Sequence, residues 1–237
     1  REILPSSAEI VETNSLFKEP KREYDLIIGN PPYFQIKLTD EIRNYYDEIL
    51  YGRTNIYSLF IYKSLKVLKD GGHMAFVIPP SMNNGAYFKE LRKYIQTNCS
   101  IEHLSIHEDA DIFEDASQPV MYLILKKGGE HDDYIFQRNG LTIFTDDYKE
   151  LNKRFMGKSS LSQLGYEVKT GRLVWNQHKE KLVNSSRENL KIIWSKNITE
   201  DGLELDNHNK PQYIKSFEPN EGPAIVVNRV VGQPKNG

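Results

Sequence analysis

Asp25-Leu26-Ile27-Ile28-Gly29-Asn30-Pro31-Pro32-Tyr33 is the stretch on which the fold turns. The apolar run up to Gly29 has the length and punctuation of a buried parallel strand, and Gly-Asn-Pro-Pro stops it. Two consecutive prolines fix two φ angles and withdraw two backbone donors, so the strand must give way to a rigid loop. Downstream, Ile56, Leu59, Phe60, Tyr62, Leu65 and Leu68 keep near-helical spacing, with Lys69-Asp70-Gly71-Gly72 read as the cap. His73 to Ile78 is a second apolar run, ended by Pro79-Pro80. A helix is expected from about Ala86 to Gln96, then an alternating strand from Ile101 to Ile106 and a last strong strand from Val120 to Leu125.

Strand, helix, strand, helix, strand predicts a doubly wound α/β sheet. Ligands of such sheets sit beyond the carboxyl ends of the strands. Asn30 to Tyr33 falls there, and so does Pro79-Pro80-Ser81. From Glu130 to Lys158 the chain is polar and turn-rich without a clear period, and from Ser160 come short β-like pieces. Two domains are expected, 1–150 and 151–237.

Composition narrows the class. A single cysteine, Cys99, excludes an internal disulfide and points to a reducing, cytoplasmic compartment. No Cys/His cluster has zinc spacing, so no metal is expected. No stretch approaches the roughly 20 apolar residues of a membrane span. Residues 1–150 carry 17 Lys and Arg against 24 Asp and Glu, whereas 151–237 carry 14 against 9. A basic C-terminal part behind an acidic N-terminal part points to a polyanion as the partner of the former.

The nine residues quoted first are similar to the catalytic motif of the amino-methyltransferase family, whose members methylate exocyclic or amide nitrogens with S-adenosylmethionine. The resemblance implies a Rossmann-like methyltransferase fold, partial because its first strands are missing, followed by part of a mixed β-rich target-recognition domain. Asn14-Ser15-Leu16-Phe17 stands where relatives contact the cofactor's adenine ring, although many have Asp where this chain has Asn14. Asn14, Ser15 and Asn30 are therefore the expected cofactor contacts. Ile112-Phe113-Glu114-Asp115-Ala116 resembles the segment whose aromatic packs on a flipped base, which would sandwich adenine between Phe113 and Tyr33. Leu161 to Arg172, Val174 to Lys179 and Ile193 to Ile198 resemble the opening of the recognition domain of adenine methylases in type II restriction–modification systems. That likeness implies double-stranded DNA as partner, with Lys169, Arg172, Trp175, Asn176 and Lys179 as candidate contacts. A restriction endonuclease, separate or fused, is the other implied partner.

The chemistry explains why these residue types are needed. The exocyclic amine of adenine is a poor nucleophile because its lone pair is delocalised into the ring. Two acceptors facing its two N–H groups favour a pyramidal nitrogen and aim the lone pair at the methyl donor. The Asn30 side-chain oxygen and the Pro31 carbonyl supply two acceptors, with Pro32 stiffening the loop, and Tyr33 offers a π-face. The base must first leave the duplex, at a cost of about a few kcal/mol that stacking partly offsets.

Relatives carry a glycine-rich cofactor loop upstream of the Asn14 segment, and no aromatic-x-Gly-x-Gly stretch occurs here. The chain is thus expected to be truncated at both ends, to bind S-adenosylmethionine weakly or not at all alone, and to be inactive alone. Two other readings stay open. One keeps the motif but changes the acceptor to a protein glutamine, an RNA base or a cytosine, although cytosine enzymes usually carry Ser at the position of Asn30. The other is a DNA-binding or specificity module without catalysis.

Overall fold

The computed structural model describes residue 9 and residues 11–20, 23–107, 119–130, 133–205, 209–219 and 222–228. The chain forms two compact units, Arg1–Lys158 and Ser159–Gly237.

The first unit is built on a four-stranded sheet. Its strands are β1 (Tyr24–Gly29), β2 (Leu68–Ile78), β3 (Cys99–His107) and β4 (Val120–Lys127), in spatial order β1-β2-β4-β3. β1 runs parallel to β2, and β4 lies antiparallel between β2 and β3. Three helices accompany it: α1 (Asp40–Tyr46), α2 (Ile56–Val67) and α3 (Lys89–Asn98). The crossovers through α2 and α3 step the same way across the sheet, so right-handed connections put both helices on one face. Burial agrees. Met74, Phe76 and Ile78 of β2 are buried, whereas the alternate residues His73, Ala75 and Val77 are only half-buried. Registered rows of side chains, Ile27–Met74–Leu125–Ile101 and Gly29–Phe76–Leu123–Leu104, share one core with Leu59, Ile61 and Leu65 of α2 and Leu91 and Ile95 of α3. Each fully buried Leu or Ile in that core contributes about 1.5–3 kcal/mol. The α/β architecture expected from the sequence is thus the observed one, with its winding on one face among the described residues.

Three local expectations change. β1 is parallel but not buried: Leu26 is 54% and Ile28 73% exposed. Among the described residues it is an outer strand of the sheet, with Ile27 and Gly29 turned toward the helices. The end of α2 is not a glycine cap, because Leu68 is already extended and begins β2. Lys69 to Gly72 instead bulge out, which shifts the β1–β2 register between Tyr24 and Leu26. Gly71 takes a φ of +77° in that bulge. A side chain on Gly72 would meet the Lys69 carbonyl oxygen at 2.9 Å. Finally, the stretch read as irregular from Glu130 to Lys158 holds a hairpin, β5 (Ile135–Arg138) with β6 (Leu141–Phe144), and a helix, α4 (Tyr148–Phe155). Asn139 and Gly140, both at positive φ, make the tight turn. Phe144 is fully buried in the main core. Arg138 donates to the carbonyls of Phe155 and Lys158, so the first unit reaches past the boundary expected at 150.

The second unit has short strands: β7 (Leu182–Val183), β8 (Leu190–Lys191), β9 (Ile198–Thr199), β10 (Gly202–Leu203) and β11 (Tyr213–Ile214). β11 lies between β7 and β8, and β9 pairs with β10. Its core is Ile192, Trp194 and Ile214, with Leu173, Leu182, Leu190 and Phe217 packed around them. Among the described residues no helix is long and apolar enough to cross a membrane, and no cluster of three or more His, Cys, Asp or Glu is placed to hold a metal.

Candidate functional site

The loop Asn30 to Tyr33 leaves the carboxyl end of β1, and each of its residues is held differently. Pro31 is buried, which anchors the loop, while the Asn30 side chain is exposed. Asn30, Pro31 and Pro32 line a cavity of about 920 Å³ together with Ser15, Ile27, Phe60 and Phe76. Tyr33 turns toward the end of β2. Its hydroxyl meets the Val77 carbonyl oxygen at 2.7 Å and also the Asn30 side-chain Oδ1. Burial raises the Tyr33 phenol above its ordinary pKa, so it is a proton donor at neutral pH.

Tyr57, in the first turn of α2, stands edge-on to Tyr33 with ring centroids 6.2 Å apart and planes at 90°. It is fully buried, stacks on Phe88 at 5.2 Å, and its hydroxyl lies 3.1 Å from Ser81 Oγ. Burial pushes the Tyr57 phenol strongly up, and the Ser81 contact acts the other way. The Asn55 side chain caps α2 by accepting from the Tyr57 N–H at 3.3 Å, which sets where this ring starts. Behind the loop after β2, the buried Arg92 of α3 donates to the Met82 and Gly85 carbonyls, each at 2.8 Å. Tyr57 and Arg92 were not singled out from the sequence, because at helical spacing each reads as an ordinary helix residue.

The Asn14 segment is a turn. Asn14 Oδ1 accepts from the Leu16 N–H at 3.2 Å, and its carbonyl accepts from Phe17 and Lys18. Leu16 is buried and its carbonyl accepts from the Tyr46 hydroxyl at 2.5 Å. Ser15 therefore reaches the cavity shared with Asn30, whereas the Asn14 oxygen is engaged within its own turn. The turn is tied to α2 through Glu19, whose carboxylate accepts from Lys63 Nζ at 2.6 Å and from the Tyr45 hydroxyl. Phe113 lies outside the described residues.

Residues 3–113 match the family model described as Eco57I restriction-modification methylase. That stretch, just under half of the chain, is similar to the Eco57I restriction-modification methylase family. The chain is 30% identical over 141 residues to the type II methyltransferase M.BsuBI of Bacillus subtilis, covering 58% of this chain and 27% of that protein. It is likewise 30% identical over 138 residues to the type II methyltransferase M.TthHB8I of Thermus thermophilus, covering 54% and 32%. The chain thus spans about a third or less of either relative's length. A type I restriction-modification methyltransferase subunit from Streptococcus thermophilus superposes with a TM-score of 0.43 at 21% identity, over 62% of this chain and 36% of that one.

The candidate DNA contacts lie beyond the segment that matches this family model, in the second unit. Lys169 pairs with Glu167 at 2.7 Å and Arg172 with Glu218 at 3.3 Å, both on the surface. Asn176 is exposed. Trp175 is 41% exposed and stands edge-on to Trp194 at 5.9 Å. Lys179 Nζ lies 5.6 Å and Lys210 Nζ 4.7 Å from the Trp175 ring centroid. The structure therefore brings Trp175 and Lys179 together and adds Lys210, whose distance along the chain hid it from sequence reading.

Proposed function

We propose that this chain carries the target-base half of a DNA adenine N6-methyltransferase of a restriction–modification system, acting on adenine flipped out of double-stranded DNA. One observation carries the reading: the exposed Asn30 side chain opens on a cavity bordered by Ser15, while Tyr33 is fastened to the neighbouring strand at the carboxyl ends of the sheet. S-adenosylmethionine would supply an electrophilic methyl group. The cavity fits such an amphipathic molecule, since Ser15 and Asn30 are polar and Ile27, Phe60 and Phe76 are apolar, and its volume is within the usual range for small-molecule sites.

In this reading the Asn30 oxygen and the Pro31 carbonyl accept the two N–H groups of the adenine amine. They hold its lone pair out of the ring plane, and no strong base is required. Tyr33 stacks on the base. The second unit, through Trp175, Lys179, Asn176, Lys169 and Arg172, holds the duplex by phosphate contacts and base edges. A nuclease, fused or separate, would complete the system. The test is methylation of a DNA library by a full-length version, with the mark located at base resolution. Asn30→Ala should abolish transfer and leave DNA binding largely intact. Retained transfer in that variant, or a mark on cytosine, would overturn the reading.

A further inference from the structure

The Tyr33 hydroxyl and the Tyr33 ring face different groups. A phenol has one proton to give. The Tyr33 hydroxyl faces two oxygens, the Val77 carbonyl at 2.7 Å and Asn30 Oδ1. The Val77 distance is that of an ordinary O–H···O bond, and a main-chain carbonyl can only accept. The phenol proton therefore goes to Val77. That leaves only lone pairs on the phenol oxygen facing Asn30, and a carbonyl oxygen there would be repelled. The two ends of a carboxamide exchange by a half-turn that preserves its shape. The arrangement that satisfies every group has the Asn30 NH2 donating to the Tyr33 oxygen.

We infer that the Tyr33 hydroxyl, anchored on the Val77 carbonyl, holds the Asn30 amide with its NH2 inward and its oxygen turned to the open side. On the adenine methyltransferase reading proposed above, on which the catalytic part of this inference rests, that is the orientation an incoming amine needs. An asparagine with its NH2 outward would set donor against donor. Tyr33 is thus a positioning residue through its hydroxyl as well as a stacking residue through its ring. The anchor belongs to the fold, because Val77 lies in β2, paired with both β1 and β4.

The experiment has two arms. In the first, the 15N-labelled chain is compared with Tyr33→Phe, which keeps the ring, and Asn30→Ala identifies the side-chain amide signals. The Asn30 NH2 protons should exchange with water about three- to tenfold faster in Tyr33→Phe, the scale of one net hydrogen bond. Unchanged exchange and unchanged shifts would overturn the inference. In the second arm, a full-length version is assayed for methyl transfer. Tyr33→Phe should lower kcat by a similar factor at constant KM for DNA, whereas a raised KM with unchanged kcat would overturn the positioning role. Absence of transfer by the unsubstituted protein would refute the proposed function instead, and the first arm would still decide the amide's orientation.

Discussion

Removing the carboxylate of Glu19 and removing the ammonium of Lys63 break the same ion pair, yet they should not cost the same. The Lys63 side chain is 8% exposed and that of Glu19 65%, so the cation is the buried partner. Burial alone would lower the Lys63 pKa, but its bonds to Glu19 and Tyr45 more than offset this and leave it raised above 10.5. The Glu19 carboxyl is held below 4.5, chiefly by the Lys63 hydrogen bond, then by the Tyr45 hydroxyl. Glu19→Gln leaves a buried ammonium short of its counter-charge, at a cost of about 1.5–3 kcal/mol for a charge-assisted bond to a desolvated group. Lys63→Met removes the buried charge itself and strands only a solvated carboxylate, so it should cost less than about 1 kcal/mol. Urea titration of the first unit's helical signal reads the difference. With a slope of about 2 kcal/mol per molar, the Glu19→Gln midpoint should fall by about 1 M. The sign of the pH dependence follows from the two directions. The depressed Glu19 stabilises above 4.5 and loses that contribution as pH falls through its folded value. The raised Lys63 stabilises below 10.5 and loses that contribution as pH rises through its folded value. The gap between wild type and Glu19→Gln should therefore be widest between these limits and close as pH falls below 4.5. A Lys63→Met midpoint at or below that of Glu19→Gln near pH 7 would refute the argument.

Two further outcomes follow from burial. The Cys99 thiol is pushed up to about 12 by burial, with Lys127 acting the other way, and so about one thiol in ten thousand is ionised at pH 8; alkylation should wait for unfolding, and reaction at the rate of a free thiol peptide would refute the assignment. Trp194→Ala should cost about 3–5 kcal/mol, more than a core of three buried residues can lose, and should expose 159–237 to protease while the first unit keeps its helical signal.

The sheet was legible because its strands end at Gly and Pro and its helices keep their period. The expected burial of β1 rests on Leu26, Ile27 and Ile28, which look alike in sequence; among the described residues β1 is an outer strand, and Ile27 packs on the core while Leu26 and Ile28 are exposed. The hairpin of β5 and β6 had its signal in Asn139-Gly140. That signal was masked by the polar residues around it, while Phe136 and Phe144 carried the burial. The Asn30 to Tyr33 loop was visible as a motif, but its supports were not. Val77 contributes a main-chain carbonyl, which no residue code announces, and Tyr57 reaches Tyr33 only because the intervening loop starts α2 beside the carboxyl end of β1.

The placement of those supports has a consequence for how the site divides. Tyr33 is fixed by Val77 of β2 and flanked by Tyr57 of α2. Tyr57 meets Ser81, and the loop beyond Ser81 is pinned by Arg92 of α3. Every one of these contacts comes from chain that follows β1. The cavity on the other side of Asn30 is bordered by Ser15 and Glu19, which precede β1, and their turn is tied on through Lys63 and Tyr46. Asn30 borders both sides, and Phe60 of α2 and Phe76 of β2 complete the cavity wall. A change confined to the preceding turn can therefore loosen the cavity without touching the contacts that fix Tyr33, whereas a change at Tyr57 acts on Tyr33 directly and also reaches the cavity through Phe60 of the same helix.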